Sequence, residues 1–107
     1  MKIEWLYEAR MEYRDSLLYH KNTVGKRSAA KFADNILSSV KKLETFPEMG
    51  VLKEAQLLGR YGFRALFIEK YVCIYRIVDE TVLIYHIADA RTNYMYHIFG
   101  IEGDHKN

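Results

Sequence analysis

The sequence predicts an α+β fold: an N-terminal strand, a two-helix hairpin on one face of a mainly antiparallel sheet, a three-stranded C-terminal meander and a short closing helix. Three observations carry this reading. The strand-like runs Phe63–Ile68, Tyr71–Val78 and 82–88 follow one another with linkers of two or three residues, as tight antiparallel hairpins require. Ahead of them, Ala29, Phe32, Ala33, Ile36, Leu37, Val40 and Leu43 recur at three- and four-residue spacing, the mark of an amphipathic helix. At the start, Ile3, Trp5 and Tyr7 alternate with polar residues, the period of a half-buried strand.

The elements follow in order. Residues 2–7 read as the first strand. From 8 to 21 the spacing becomes helical, with Ala9, Tyr13, Leu17 and His20 on one face, and Asn22-Thr23-Val24-Gly25 breaks it. The second helix spans 26–45, with Lys31, Asp34, Asn35, Ser38 and Lys41 on its polar face. Pro47 and Gly50 follow its end. Its apolar stripe reads as core. Residues 51–61 suggest only a short turn or an extended segment. In the meander, Glu69-Lys70 and Asp79-Glu80 are the turns, although neither contains the glycine that the tightest hairpins favour. A final helix over 93–99, capped by Thr92 or Asn93 and stopped by Gly100, leaves 101–107 as a flexible tail on a single 1–100 domain.

Composition bounds the function. The chain has 107 residues, 50% hydrophobic and 28% charged, which fits one globular domain with one core. The formal net charge of +2 is low for a general nucleic-acid binder, so any such role needs its arginines focused into one patch. Nine tyrosines fit either strand propensity or a binding surface. The single cysteine, Cys73, lies inside a strand pattern and reads as a buried thiol. Glu4 and Glu8 interrupt any secretory signal, and no run reaches membrane-spanning length. A cytoplasmic protein is expected.

The residue pool narrows the chemistry further. His20, His86, His97 and His105 show no metal-ligand spacing, and the glycines form no phosphate loop. No metal and no cofactor are expected. What remains is metal-free phosphodiester chemistry on RNA, in which the ribose 2′-hydroxyl attacks. The protein then supplies a proton acceptor, a proton donor and cations against the phosphate. Arg64, Lys70, Arg76, His86, Arg91, Tyr94, Tyr96 and His97 are the pool.

Each of these also has a plainer role. Arg76 is placed to pair with Asp79 or Glu80. His86 alternates with Val82 and Ile84 and reads as a sheet histidine. Lys70 sits in a turn, where lysines are solvated. Tyr94 and Tyr96 cannot share a helical face, so one of them packs. Arg64 and Arg91, near strand ends, are the leading candidates, with Tyr94 beside them and Tyr96, His86 and Lys70 in reserve.

The pattern resembles the RelE/ParE superfamily of type II toxin–antitoxin toxins, also called plasmid stabilisation proteins. The resemblance runs from Lys2 to about Gly100. It rests on the element order and on Leu43-Glu44-Thr45-Phe46-Pro47, Tyr61-Gly62-Phe63-Arg64, Tyr71 through Asp79, Val82 through Ile87, and Ala88-Asp89-Ala90-Arg91-Thr92-Asn93-Tyr94. It implies a growth-inhibiting toxin that assembles with a cognate antitoxin and has no membrane role. One branch of the superfamily cuts mRNA on the ribosome without a metal, and the other poisons DNA gyrase. By the same resemblance Arg64 matches a basic position on the second strand and Arg91 the arginine after the last strand. Tyr94 or Tyr96 matches the C-terminal tyrosine of the cutting branch. The chain departs from that branch at Val72, where an arginine often follows the first aromatic of the third strand, and at Phe63, Ala65 and Phe67, where the most basic nucleases carry lysines. A second reading is a non-catalytic protein-binding module on a degenerate toxin fold. A neighbouring frame encoding an antitoxin favours the first reading, and an isolated gene favours the second.

Overall fold

The computed structural model describes residues 1–52 and 57–99. The elements run β1 (Lys2–Trp5), α1 (Tyr7–Tyr19), α2 (Lys26–Lys41), α3 (Leu57–Arg60), β2 (Phe63–Ile68), β3 (Tyr71–Val78), β4 (Thr81–Asp89) and α4 (Tyr94–Phe99). The sheet order is β1-β4-β3-β2. The two meander pairings are antiparallel and β1 lies parallel to β4. This is the expected α+β arrangement.

Several boundaries differ from the sequence reading. β1 stops at Trp5, and Tyr7 is exposed as the first residue of α1 rather than facing inward with Ile3 and Trp5. Asn22 does not break α1. The chain widens into a π-turn over His20–Val24, closed by the Gly25 N–H donating to the His20 carbonyl at 2.8 Å. Gly25 then ends it at φ 141°, ψ 173°, a conformation open essentially to glycine alone. α2 ends at Lys41 and tightens into a 3₁₀ turn over Lys42–Glu44. Between α2 and β2, Val51 forms a single antiparallel bridge to Ala65. The Gly100 stop and the 101–107 tail lie outside the described residues, as do His105 and the side chain of His97.

The helical stripe is core, as expected, except at one edge. Ala29, Phe32, Ile36, Val40 and Leu43 are buried, while Leu37 is 48% exposed. Phe32, Ile36, Val40 and Leu43 meet Cys73, Tyr75, Val82, Ile84 and Ile87 from the sheet, with Ile3, Trp5, Tyr13, Leu17 and Leu66 around the margin. Each fully buried Leu or Ile contributes about 1.5–3 kcal/mol.

The inward residues of β4 are Val82, Ile84 and then Ile87, three positions on rather than two. A bulge explains the step. Tyr75 pairs with Ile84 but Ile74 pairs with His86, so Tyr85 is the extra residue. His86 therefore does not share the face of Val82 and Ile84, as strict alternation predicts.

Both hairpin turns form where expected, and both do so without glycine. Glu69 and Asp79 take φ of 54° and 56°, a left-handed conformation that costs a non-glycine residue about 1–2 kcal/mol. The sheet's second face carries Phe63, Ala65 and Phe67 from β2 beside Arg76, Ile74 and Val72 from β3. Val72 and Ile74 are completely buried there, whereas Phe67 is 56% exposed, so this face is covered in part and open in part.

Candidate functional site

Register separates the two leading arginines. Arg64 pairs with Tyr75, whereas Arg91 follows Asp89, which pairs with Tyr71. The β3 partners of Arg64 and Asp89 stand four residues apart, or roughly 13 Å at about 3.3 Å per residue, and Arg91 lies beyond Asp89. Arg64 and Arg91 therefore do not share one basic patch.

Arg64 projects to the helix side of β2 and is engaged with backbone. Its Nη1 donates to the Gly50 carbonyl at 2.9 Å and to the Glu48 carbonyl at 3.3 Å. The neighbouring Tyr75 hydroxyl donates to the Pro47 carbonyl at 2.7 Å and accepts the Gly50 N–H at 2.8 Å. Burial raises the Tyr75 pKa, so the phenol stays protonated. These two side chains clamp the 47–50 loop onto the sheet. Above the clamp, Phe46 and Met49 are 61% and 42% exposed.

The other end of the sheet gathers the remaining polar groups. The Lys70 carbonyl accepts the Ala90 N–H at 2.8 Å, which brings the β2–β3 turn against the exit of β4. There Asp89 grips Arg91 through Nε at 2.9 Å and Nη2 at 2.6 Å, and also accepts the Arg91 backbone N–H at 2.9 Å. The Arg91 bonds hold the Asp89 carboxyl below its usual pKa, and Asp89 raises that of Arg91. A bidentate pair of this kind fixes the direction of the guanidinium.

His20, at the head of the π-turn, joins this end to the helices. Its Nδ1 lies 2.9 Å from the Ser28 hydroxyl and its Nε2 lies 2.9 Å from the Tyr71 hydroxyl. Its ring stacks on Phe32 at 4.9 Å. Burial, and then the nearby Asp89 charge, raise the Tyr71 pKa. A cleft of about 170 Å³ opens beside them, walled by Phe32, Ile36 and Ile68 and rimmed by Lys31, Asn35 and Lys70. The sequence put His20 on the inner face of the first helix; it lies just past α1, at the head of the π-turn, and still turns inward onto Phe32. Nothing in the sequence signalled the contact with Tyr71, 51 residues away.

The reserve candidates divide. Lys70 joins this end of the sheet. The His86 Nδ1 contacts the Glu12 carboxylate at 3.1 Å. Tyr94 is half-buried in α4 and Tyr96 is 54% exposed, the split that their helical spacing requires. Cys73 is wholly buried with its pKa pushed up to about 12 by desolvation, which makes it a poor nucleophile at neutral pH.

Arg76 differs from expectation. It does not pair with Asp79 or Glu80. Its guanidinium lies 5.1 Å from the Phe63 ring centroid and 5.6 Å from that of Tyr85. Nη2 donates to the Tyr85 hydroxyl at 3.1 Å and Nη1 to the Tyr61 carbonyl at 3.4 Å. Nε is buried without a partner.

Among the described residues, no helix is long and apolar enough to cross a membrane. No curated protein sequence matches the chain. A chain of the chromosomal ParDE TA system from P. aeruginosa shares the fold, with a TM-score of 0.70 and 20% identity over 83% of this chain and 95% of that one. The family model of the ParE toxin of the type II toxin-antitoxin system, parDE, matches residues 3–94. With that match covering most of the sheet and both long helices, the chain belongs to the ParE toxin family and is a type II toxin–antitoxin toxin.

Proposed function

We propose that this toxin arrests growth by binding DNA gyrase in the cytoplasm rather than by cutting ribosome-bound mRNA, and that a cognate antitoxin neutralises it. One observation carries the reading. Phe63, Ala65, Phe67 and Val72 occupy one sheet face and Val72 is fully buried there, where by the resemblance the cutting branch often has an arginine in place of Val72 and its most basic members have lysines on the second strand. Metal-free cleavage needs a proton acceptor, a proton donor and cations around one phosphate. Here Arg64 is engaged by loop carbonyls on the opposite face, Arg91 is gripped by Asp89, and His86 meets Glu12. An arrangement of this kind suits recognition of a protein surface better than proton transfer. Arg91, exposed and aimed by Asp89, is the family-matched residue we assign to contact with the target.

The test is induction of the chain alone in a bacterial host, with pulse labelling of DNA and protein synthesis. The purified chain is assayed in parallel for inhibition of gyrase supercoiling. An early fall in DNA synthesis together with gyrase inhibition is the expected result. An early fall in translation with mRNA ends mapping to the ribosomal A site would overturn it. Absence of any arrest would favour the binding-module reading instead.

A further inference from the structure

We propose that Arg76 is a contact residue for an acidic side chain of gyrase, held ready by Phe63, Tyr85 and Tyr61 on the sheet face away from α1 and α2. The inference rests on the gyrase reading above and assigns it a residue that the family resemblance does not mark.

A guanidinium withdrawn from water needs an anion or a full set of acceptors. Arg64 has two loop carbonyls, and Arg91 and Arg14 have Asp89 and Asp15. Arg76 is half-buried with two neutral acceptors, one of them at 3.4 Å, and its Nε is buried with none. Its aromatic neighbours contribute cation–π attraction and fix the plane of the fork, but among the described residues no carboxylate pairs with it. A carboxylate meeting the Nη edge would compensate the whole delocalised ion, Nε included.

The surroundings suit a protein partner. Tyr61, whose carbonyl accepts one Nη, is 64% exposed, and a rigid arginine against aromatic rings has the composition of an interface hot spot. The strand position matters as well. Arg76 pairs with Phe63 on β2 and Leu83 on β4, so its backbone is fixed from both sides. Little ordering remains for binding to impose.

The test uses the full chain as wild type, Arg76→Met and Arg76→Lys. Each is melted by circular dichroism and titrated in a supercoiling assay with purified gyrase. Methionine keeps the apolar stem and removes a half-buried charge, so Arg76→Met is expected to melt at or above the wild-type temperature. Its half-inhibitory concentration is expected to rise at least about tenfold, as loss of a desolvated charge pair implies. Arg76→Lys keeps the charge without the fork and should fall between the two. A folded Arg76→Met that inhibits within about twofold of wild type overturns the contact while leaving gyrase as the target. If Arg76→Met fails to fold, Arg76→Lys decides by the same criterion. A wild-type chain that leaves gyrase untouched overturns the target reading and this contact together.

Discussion

The Glu12 carboxylate on α1 accepts the backbone N–H of Ile87 on β4 at 2.9 Å. β1 ends at Trp5, level with Ile84, so β4 has no strand neighbour on that side beyond this point. α1 crosses the open edge, and one acidic side chain takes over the bond that a longer β1 would have made. The same carboxylate lies 3.1 Å from His86 Nδ1. Replacing Glu12 by Ala leaves a sheet-edge donor unpaired and should cost about 1–3 kcal/mol. Glu12→Gln keeps an acceptor oxygen and should cost less. Urea denaturation of both variants checks the order, and equal losses would argue against the edge bond as the cause.

Gly50 and Tyr75 define a second contact with no slack. A Cβ at Gly50 would sit 2.7 Å from the Tyr75 ring and hydroxyl. Gly50→Ala should destabilise the chain by about 1–3 kcal/mol through overpacking. Tyr75→Phe should also lose stability, because the Gly50 N–H loses its acceptor. In the double variant the two costs should not add, since the hydroxyl removed is one of the atoms that Cβ meets. Additive losses in a double-mutant cycle would break the proposed link.

The Asp89–Arg91 pair predicts an acid-sensitive increment of stability. The Asp89 pKa is depressed in the folded state. Its contribution is therefore complete above the unfolded carboxyl pKa of about 3.9 and is lost as pH falls through the lower folded value. Wild type should exceed Asp89→Asn by a constant margin at neutral pH, and the margin should shrink below about pH 4. Both side chains are solvent-accessible, so added salt should reduce the margin too. Thermal melts across that range, with and without salt, provide the check.

Cys73 should report global opening. It is fully buried and its thiol pKa is pushed up to about 12. A thiol reagent at pH 8 should label native protein only at the rate of unfolding, and denatured protein at once. Fast labelling of the folded chain would show that β3 is locally accessible.

The fold was legible in the sequence because periodicity reports burial. The stripe from Ala29 to Leu43 and the meander runs gave the helix, the strands and both turns. Leu37 was misassigned because an apolar stripe is wider than the surface it covers. His86 was placed on the wrong face because a bulge adds a residue that no alternation rule anticipates. The site was less legible for a related reason. Arg64 and Arg91 share a residue type and lie near strand ends, but register decides which end and which face, and register is a property of pairing. Likewise Arg76 had acidic neighbours in sequence, yet β3 directs it toward Phe63 and Tyr85 instead.

The parallel union of β1 with β4 has a consequence for synthesis. The second residue of the chain pairs with Thr81, and the fifth with Ile84. Until β4 leaves the ribosome, the opening strand has no partner and the helical hairpin has only part of its sheet. Contacts of such long sequence separation form late. The toxin thus cannot take shape from its leading half. Its opening strand finds its place only once β4 has been made.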